Sequence, residues 1–274
     1  MDLKGQSRVV IENVQPQVDE GLYPAKRTIG ERVDVSADIF SDGHDHIRAR
    51  LLYKKEGASK WKEVEMRHEG NDVWRASFYA EEKGIYRFTL QAWIDHFDTW
   101  YDGFKKKVGA GVNVELELRE GVQILKTLAA GNEALKAASK RLELEYNTAV
   151  SFVMGSEFET IVHNNPLVQH AHTYHKQLKI FVEHEKANFS AWYELFPRSA
   201  SLDGRHGTFK DVIRLLPRIV SMGFDVLYLP PIHPIGSSFR KGRNNALTAP
   251  PHDPGSPWAI GSAGGGHDAM DPGL

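Results

Sequence analysis

A short basic and amide-rich segment is the part of the sequence best suited to binding chemistry. Residues 240–245 read Arg-Lys-Gly-Arg-Asn-Asn, so cations and amides lie side by side. Lys241 offers a point charge on a flexible stem, and Asn245 offers amide hydrogen bonds. Taken alone, such a cluster is most often a solvated basic loop. The residue types therefore make Lys241 and Asn245 candidates for binding without assigning them a ligand.

Two other clusters suggest chemistry that their spacing argues against. His170, His172 and His175 fall in a segment that we interpret as helical, where positions i and i+2 face different sides. Only His172 and His175 could converge, and two ligands without a nearby carboxylate are too few for zinc. The glycines at residues 264–266 are not followed by Gly-Lys-Ser/Thr, which excludes a nucleotide P-loop. We predict a solvated helix face for the histidines, and neither a metal site nor a cofactor.

The composition of the chain excludes several classes of protein. The chain has 274 residues, a formal charge of −2 and no cysteine. Near neutrality predicts no nucleic-acid partner, and the missing cysteine excludes disulfides and thiolate metal sites. No stretch approaches the roughly 20 apolar residues of a membrane span, and the first residues lack the apolar core of a signal peptide. We therefore expect a cytoplasmic protein of about two domains without a membrane partner.

Residues 1–118 predict an immunoglobulin-like β-sandwich. Apolar residues alternate with polar ones in several runs, which is typical of strands with one buried face. The five clearest runs lie at residues 33–39, 47–53, 74–78, 86–94 and 112–118. With two further runs at residues 9–14 and 61–66, the count approaches the seven strands of such a sandwich. Tyr86 could form a tyrosine corner, its hydroxyl bonded to upstream backbone.

The tryptophans of this segment permit two interpretations. They could stack on sugar rings, or they could fill the core and its rim, which is the commoner use of aromatic side chains. Trp74 lies in phase with the inward-facing residues of its strand. Trp93 lies out of phase with Tyr86 and Phe88, so it is the better candidate for a contact surface.

Residues 119–187 predict a helical hairpin or bundle. Leucine or alanine recurs every seven positions from residue 128 to residue 149, which predicts one long amphipathic helix. A second helical stretch is expected after Gly155, with Ser156 and Glu159 as its capping box and Pro166 dividing it. Its apolar positions at helical spacing are Leu167, Ala171, Tyr174, Leu178 and Phe181. Because a hairpin leaves apolar surface uncovered, a homodimer through these helices is one hypothesis.

Residues 188–274 predict a parallel strand–helix–strand unit. A short apolar run at residues 192–196 is followed by a helix that opens near Thr208 and that Gly223 terminates. The expected inner face of the helix comprises Val212, Leu215, Leu216, Ile219 and Val220. Residues 224–229 are almost continuously apolar, as in a strand buried on both faces.

The stretch after this second strand resembles a known family. Four segments carry the resemblance: Pro-Pro-Ile-His-Pro-Ile-Gly at residues 230–236, the basic segment at residues 240–245, Asp-Pro-Gly-Ser-Pro-Trp-Ala-Ile-Gly-Ser at residues 253–262, and Gly-Gly-His-Asp at residues 265–268. The combination is similar to the maltosyltransferases that use maltose 1-phosphate to extend α-1,4-glucans, a branch of the α-amylase superfamily. The resemblance covers nearly the whole chain and implies that residues 188–274 begin a (β/α)₈ catalytic barrel.

This resemblance also assigns roles to residues. It implies that Lys241 contacts the donor sugar phosphate, with Asn245 a weaker candidate and Asp268 near the sugar site. The implied partners are maltose 1-phosphate and α-1,4-glucan. The reaction is retaining, with maltosyl units passed to the non-reducing end of the glucan by double displacement and phosphate released.

The sequence departs from the family in its length. A (β/α)₈ barrel needs about 250 residues, so residues 188–274 suffice only for its first βαβ unit. The family's nucleophile and acid/base carboxylates would follow Leu274, so no catalytic residue is assigned here. We expect an N-terminal fragment that is inactive alone. Two alternatives remain open: an α-amylase-type hydrolase, and a non-catalytic glucan-binding or dimerisation module.

Overall fold

The computed structural model describes residues 8–274, which form two compact units, residues 8–184 and residues 185–274. The first unit contains a β region and a helical region, each with its own core. The second contains one parallel strand pair and long loops. The chain is therefore a multidomain fold of sheets and helices. The division at residues 118 and 187 stays a prediction.

Among the residues that the structure describes, ten strands build the β region. They are β1 (Val9–Gln15), β2 (Ala25–Thr28), β3 (Arg32–Ser41), β4 (Ile47–Lys55), β5 (Lys62–Glu65), β6 (Arg67–His68), β7 (Val73–Tyr79), β8 (Gly84–Ile94), β9 (His172–Thr173) and β10 (Leu178–Glu183). One sheet has the order β1-β3-β7-β6, and the other has the order β2-β10-β8-β4-β5 with β9 beside β8. Inward-facing residues of both sheets, such as Val35 of β3 and Phe88 of β8, share one core. This arrangement agrees with two packed sheets of alternating pattern.

Two expectations about aromatic residues of this region are confirmed. The Tyr86 hydroxyl accepts a hydrogen bond from the Glu82 backbone N–H at 3.2 Å, as in a tyrosine corner. Trp74 is buried in the shared core, and its indole N–H donates to the Ile39 carbonyl at 3.1 Å. These contacts tie neighbouring segments of the two-sheet core together.

Five helices build the helical region. They are α1 (His96–Gly109), α2 (Glu115–Leu128), α3 (Glu133–Leu142), α4 (Tyr146–Val153) and α5 (Ser156–Asn164). Phe158 lies at the centre of their core, fully buried against four other aromatic rings. Buried Asp95 caps α1 by accepting hydrogen bonds from the Phe97 and Asp98 backbone N–H groups.

The expected strand at residues 112–118 is wrong, because α2 begins at Glu115. Val114 and Leu118 are buried, whereas Val112 and Leu116 are exposed. The buried positions are four apart, which is a helical period, and alternate residues cannot distinguish the two periods over so short a run. The preceding α1 also occupies a stretch that we assigned to the sandwich.

The single long helix expected through residue 149 is wrong as well. It is divided into α2, α3 and α4, because the Asn132 side chain caps α3 and the Glu145 side chain caps α4. Each cap satisfies backbone N–H groups that a continuous helix would have used internally. The next helix starts at Ser156 as expected, but its N-cap is Gly155 and no side chain caps it.

The helical interpretation of residues 167–181 is wrong. Leu178, Ile180 and Val182 alternate as the buried residues of β10, which pairs with β8 and β2. His172 lies in β9, so the solvated helix face expected for the histidines does not exist. Backbone pairing with strands far away in the sequence decided the conformation, which a local helical spacing cannot anticipate.

The second unit contains the parallel βαβ arrangement expected from the sequence. Its elements are β11 (Trp192–Glu194), α6 (Phe209–Ser221) and β12 (Val226–Tyr228). The two strands pair in parallel, with Tyr193 opposite Leu227. Gly223 ends α6 in the left-handed conformation, φ +85°, that glycine adopts without strain.

The burial expected for this unit is wrong in two places. Tyr228 of β12 is 44% exposed, so the strand is not buried on both faces. On α6, Val212 and Ile219 are buried, but Leu216 and Val220 are exposed. The apolar pattern specifies faces that could be covered, and the residues of this unit cover only part of them.

Candidate functional site

The candidate site lies in the loops that follow β12 in the second unit. In parallel sheets, ligands bind beyond the carboxyl ends of the strands, where loops place polar side chains. Residues 229–274 hold no helix or strand beyond a short 3-10 turn at Arg243–Asn245. These loops are held by isolated backbone hydrogen bonds, such as that from the Gly236 N–H to the Ala259 carbonyl at 2.8 Å, and by side-chain contacts.

Lys241 and Asn245 are brought together by this turn. The Lys241 ammonium donates a hydrogen bond to the Asn245 side-chain oxygen at 2.7 Å. The Gly242 N–H donates to the Ala246 carbonyl at 2.9 Å, which closes the backbone around the turn. Both side chains are exposed. The remaining ammonium protons and the Asn245 amide N–H groups are the hydrogen-bond donors that the pair can offer a ligand.

The buried carboxylate of Asp253 stabilises the turn through contacts with Arg243. No sequence pattern had pointed to this residue. Its side chain is buried, and Oδ2 accepts a hydrogen bond from the Arg243 N–H at 3.1 Å. The Arg243 guanidinium lies 3.4 Å from Oδ1 of the same carboxylate. A Cβ at Gly242 would lie 3.0 Å from Asp253 Oδ2, so the glycine permits this close approach.

Arg240 belongs to the support of the loop. Its guanidinium donates to the carbonyls of Ile235, Gly236 and Asp253 at 3.0–3.2 Å. The sequence grouped Arg240 with Lys241 because both are basic. The structure separates them, since Arg240 bonds to backbone whereas Lys241 points its charge to solvent.

Arg198 fixes the start and the end of the loops. It donates to the Pro231 and His233 carbonyls at 3.1 and 2.9 Å, and it pairs with Asp271 at 2.8 Å. Burial is the largest single influence and acts to raise the pKa of Asp271, but the hydrogen bonds from Arg198 and the Gly273 N–H, together with the charges of Arg198 and His206, lower this pKa overall. No sequence motif singled out Arg198, because its partners lie at least 33 positions away.

Asp268 lies apart from the Lys241–Asn245 pair. It lines a cavity of about 400 Å³ together with residues 231–233 and 267–270, and neither Lys241 nor Asn245 borders that cavity. The ring of buried His233 lies 5.3 Å from that of His267 across it. The structure therefore separates Asp268 from the Lys241–Asn245 pair, which the resemblance had placed near the same sugar.

The described residues offer neither a metal-ion cluster nor a membrane-spanning helix. Between residues 8 and 274, no three histidine, aspartate or glutamate side chains are grouped so that they could hold a metal ion. None of the helices within that range is long and apolar enough to cross a membrane. The chemistry available at the loop is hydrogen bonding and attraction of an anion by the Lys241 ammonium.

Comparison with known proteins gives a consistent answer. A family model described as "Alpha-1,4-glucan:maltose-1-phosphate maltosyltransferase, domain N/S" matches residues 7–184. Proteins of that name from Chlorobaculum tepidum and Methylacidiphilum infernorum are 47% and 44% identical over 98% and 100% of the chain. The namesake from Pseudomonas aeruginosa is 42% identical over 98%. The chain spans 41–42% of the length of these relatives. This chain belongs to the alpha-1,4-glucan:maltose-1-phosphate maltosyltransferase family.

Proposed function

We propose that the protein containing this chain transfers maltosyl units from maltose 1-phosphate to the non-reducing end of α-1,4-glucans. The bond between the anomeric carbon and the phosphate oxygen breaks, a glucan hydroxyl takes the maltosyl unit, and phosphate leaves. The observation that carries the proposal is the identity of more than 40% over 98% or more of the chain to proteins that bear the name of this activity. A double displacement by two carboxylates would retain the anomeric configuration.

Within this reaction, Lys241 would bind the donor phosphate and Asn245 would hold the Lys241 ammonium in place. The 2.7 Å hydrogen bond between the two side chains supports this division of roles. A positioned cation near the leaving phosphate stabilises negative charge there. No carboxylate of residues 8–274 is assigned as nucleophile or acid/base.

The architectural part of the proposal is that the two sheets of the first unit form an immunoglobulin-like sandwich, with α1–α5 as a helical insert between β8 and β9. Residues 188–274 would then contribute the first βαβ of a (β/α)₈ barrel, which the parallel pair β11–β12 supports. A barrel would also cover the apolar side chains that α6 exposes. A homodimer through the helical region belongs to the same proposal, and the mass measured by sedimentation equilibrium tests it.

The experiment is phosphate release from maltose 1-phosphate in the presence of maltohexaose, measured on the protein that contains this chain. Lys241→Ala should raise the KM for maltose 1-phosphate roughly tenfold or more, because a charge-assisted contact is lost. Lys210→Ala removes an exposed lysine at the start of α6 and is the matched control, with unchanged kinetics.

Three results would contradict the proposal. Maltose or glucose release from starch without any use of maltose 1-phosphate would favour an α-amylase-type hydrolase. Retardation on a glycogen-containing gel with no turnover of either substrate would favour a non-catalytic glucan-binding module. Equal kinetics for Lys241→Ala and Lys210→Ala would remove Lys241 from the donor site.

A further inference from the structure

The turn that carries Lys241 has an unfavourable backbone conformation. Asn244 and Asn245 have φ angles of +52° and +63°, in the left-handed region that few residues other than glycine occupy. Asparagine tolerates this region better than most residues, but two consecutive residues in it still cost free energy. Such a backbone persists only where its surroundings fix it. The hydrogen bond between Lys241 and Asn245 therefore depends on a support outside the turn.

Asp253 supplies this support at the centre of the turn. Its buried carboxylate accepts the Arg243 backbone N–H at 3.1 Å, and Arg243 is the residue midway between Lys241 and Asn245. A Cβ on Gly242 would lie 3.0 Å from the same carboxylate oxygen, so the carboxylate packs directly against the backbone. One buried side chain thus fixes the path of the chain between the two candidate binding residues.

Asp253 is itself fixed on both sides. Its N–H donates a hydrogen bond to the Pro250 carbonyl at 3.0 Å, and its carbonyl accepts one from the Arg240 guanidinium at 3.1 Å. Arg240 also bonds to the carbonyls of Ile235 and Gly236. The loop that follows β12 is therefore linked to the turn through Arg240 and Asp253.

The same contacts separate three cations that are neighbours in the sequence. Arg240 bonds to backbone carbonyls, and the Arg243 guanidinium lies 3.4 Å from the Asp253 carboxylate. The exposed Lys241 ammonium instead bonds to the neutral side chain of Asn245, which does not compensate its charge. A positive charge that is held in place and not compensated attracts an anion. The arrangement therefore directs Lys241, rather than its two neighbours, to an anionic ligand.

We propose that Asp253 is a positioning residue, which promotes the binding of an anionic ligand by holding the Lys241 ammonium beside Asn245. Its own carboxylate is buried on the inner side of the turn and contacts no ligand. Without that carboxylate the turn loses its support, and each binding event must order Lys241 again. The identification of the anion as the phosphate of maltose 1-phosphate rests on the proposed function.

The kinetics of phosphate release by the protein that contains this chain provide the first test. Asp253→Ala should raise the KM for maltose 1-phosphate roughly fivefold, because binding must order a mobile cation. The effect on kcat should be smaller, since the bound phosphate then holds the ammonium. Asp253→Asn keeps an oxygen that can accept the Arg243 N–H, so KM should rise only about twofold. This variant also covers the case in which Asp253→Ala does not fold.

A double-variant cycle distinguishes positioning from a general structural role. If Asp253 acts through Lys241, then Asp253→Ala should change KM by less than about twofold in a protein that already carries Lys241→Ala. Damage to the loop as a whole would instead raise KM by a similar factor in both backgrounds. Additive effects of the two substitutions would overturn the inference.

Asp225→Ala is the matched control. The Asp225 carboxylate likewise accepts a backbone N–H in the second unit, that of Ala191 at 3.0 Å, but Asp225 precedes β12 whereas Asp253 follows it. Its loss should lower the Tm to a similar extent and leave KM unchanged. An equal rise of KM in Asp225→Ala and Asp253→Ala would attribute the effect to stability and would contradict the proposed role.

Nuclear magnetic resonance of the full chain observes the positioning without turnover. The Asn245 side-chain amide signals report the contact with Lys241, and they are assigned by their loss in Asn245→Asp. We expect Asp253→Ala to shift these signals toward their positions in Lys241→Ala, and Asp225→Ala to leave them in place. Asn245 signals that Asp253→Ala does not move would overturn the inference.

The two readouts separate this inference from the proposed function. If Asp253→Ala moves the Asn245 signals but the protein containing the chain releases no phosphate from maltose 1-phosphate, the proposed function fails and Asp253 still positions Lys241. If phosphate is released with the same KM in the wild type and in Asp253→Ala, the inference fails and the proposed function stands.

Discussion

The two units of the chain bury their apolar residues to very different extents. In the first unit, large side chains such as Phe88, Phe97 and Phe158 are fully enclosed. In the second unit, the buried hydrophobic side chains are Ala200, Val212 and Ile219, whereas Phe239 and Leu247 are almost fully exposed. The first unit thus has closed cores, and the second has apolar surface that its own residues leave open.

The difference shows which forces hold each unit. Burial of apolar surface contributes about 25 cal/mol per Å², so the first unit gains most from its two cores. The second unit is held by charged groups bonded to backbone, above all Arg198, Arg240, Asp211 and Asp253. Each such charge-assisted bond contributes about 1.5–3 kcal/mol, so the unit should respond to charge more than to side-chain volume.

The largest effect should come from opening a closed core. Phe158→Ala removes a ring that touches Phe97, Trp100 and Phe152, and we expect a loss of about 3–5 kcal/mol of unfolding free energy. Ile213→Ala in the second unit removes a side chain that is 62% exposed, so its effect should stay within about 0.5 kcal/mol. Urea denaturation of both variants checks this, and equal losses would break the comparison.

Limited proteolysis should separate the two units next. Cleavage should begin between Pro230 and Leu274, where loops cover the chain, and should leave the β and helical regions intact. Local opening of such loops needs far less free energy than opening a core, so we expect at least a roughly hundredfold difference in cleavage rate. Mass spectrometry of the fragments identifies the sites. Equal resistance along the chain would contradict the comparison.

A smaller effect tests how tightly the helical core is packed. A Cβ at Gly121 of α2 would clash with the Trp100 ring and would lie 2.9 Å from a Leu142 methyl group. Gly121→Ala should therefore destabilise the first unit by about 1–3 kcal/mol. Gly103→Ala in α1 meets no atom within 4 Å and should stabilise by about 0.5–1 kcal/mol. Thermal unfolding should show a lower Tm than wild type for Gly121→Ala and a higher Tm for Gly103→Ala. A shift of the same sign in both variants would contradict this prediction.

The smallest effect is a dependence of stability on pH in the second unit. Hydrogen bonds from Arg205, and then from Thr208 and Arg214, hold the pKa of Asp211 well below its ordinary value. A lowered carboxyl pKa contributes stability above its unfolded value near pH 4, and that stability is lost as the pH falls through the folded pKa. Asp211→Asn should destabilise α6 at pH 7, and the difference should shrink below about pH 4. Hydrogen exchange of the α6 amides, compared between Asp211→Asn and the wild type at each pH, measures this difference in stability.

Asp95 in the first unit provides the control of opposite sign. Burial raises the pKa of Asp95 despite hydrogen bonds from the Asp98 and Leu167 N–H groups and the nearby Arg48. A raised carboxyl pKa means that the folded state takes up a proton more readily, so the carboxyl lowers stability as the pH rises through the folded value. Relative to Asp95→Asn, the wild type should lose stability as the pH rises above about 4, the ordinary carboxyl value, and through the raised folded pKa. Parallel pH profiles for both aspartates would contradict the argument.

Much of the fold could be predicted from the sequence where it follows from the pattern of apolar residues among near neighbours. The alternation in β3, β4 and β8 and the order β11–α6–β12 were predicted, because strand faces and short connections follow neighbouring residues. The strand β10 was missed, although Leu178, Ile180 and Val182 alternate. A helical spacing fitted the same residues, and only pairing with β8 and β2 decides between them.

The candidate site was readable in part. The sequence singled out Lys241 and Asn245, whose four-residue spacing lets one turn join them. It did not find Asp253 or Arg198, because their partners lie far away along the chain. Charge alone also grouped Arg240 with Lys241, whereas the structure gives Arg240 a role in holding backbone carbonyls.

The sequence by itself determined the family, the faces of the long strands, the parallel βαβ unit and the outward direction of Trp93. These features follow from residue type and from periods of two or 3.6 residues, which act over a few neighbours. The tertiary structure alone decided that Trp93 is buried beneath Arg50, that Arg48 links β4 to α1 and α5, and that α6 is half covered. Burial and ion pairing depend on segments distant along the chain, so only the folded arrangement fixes them.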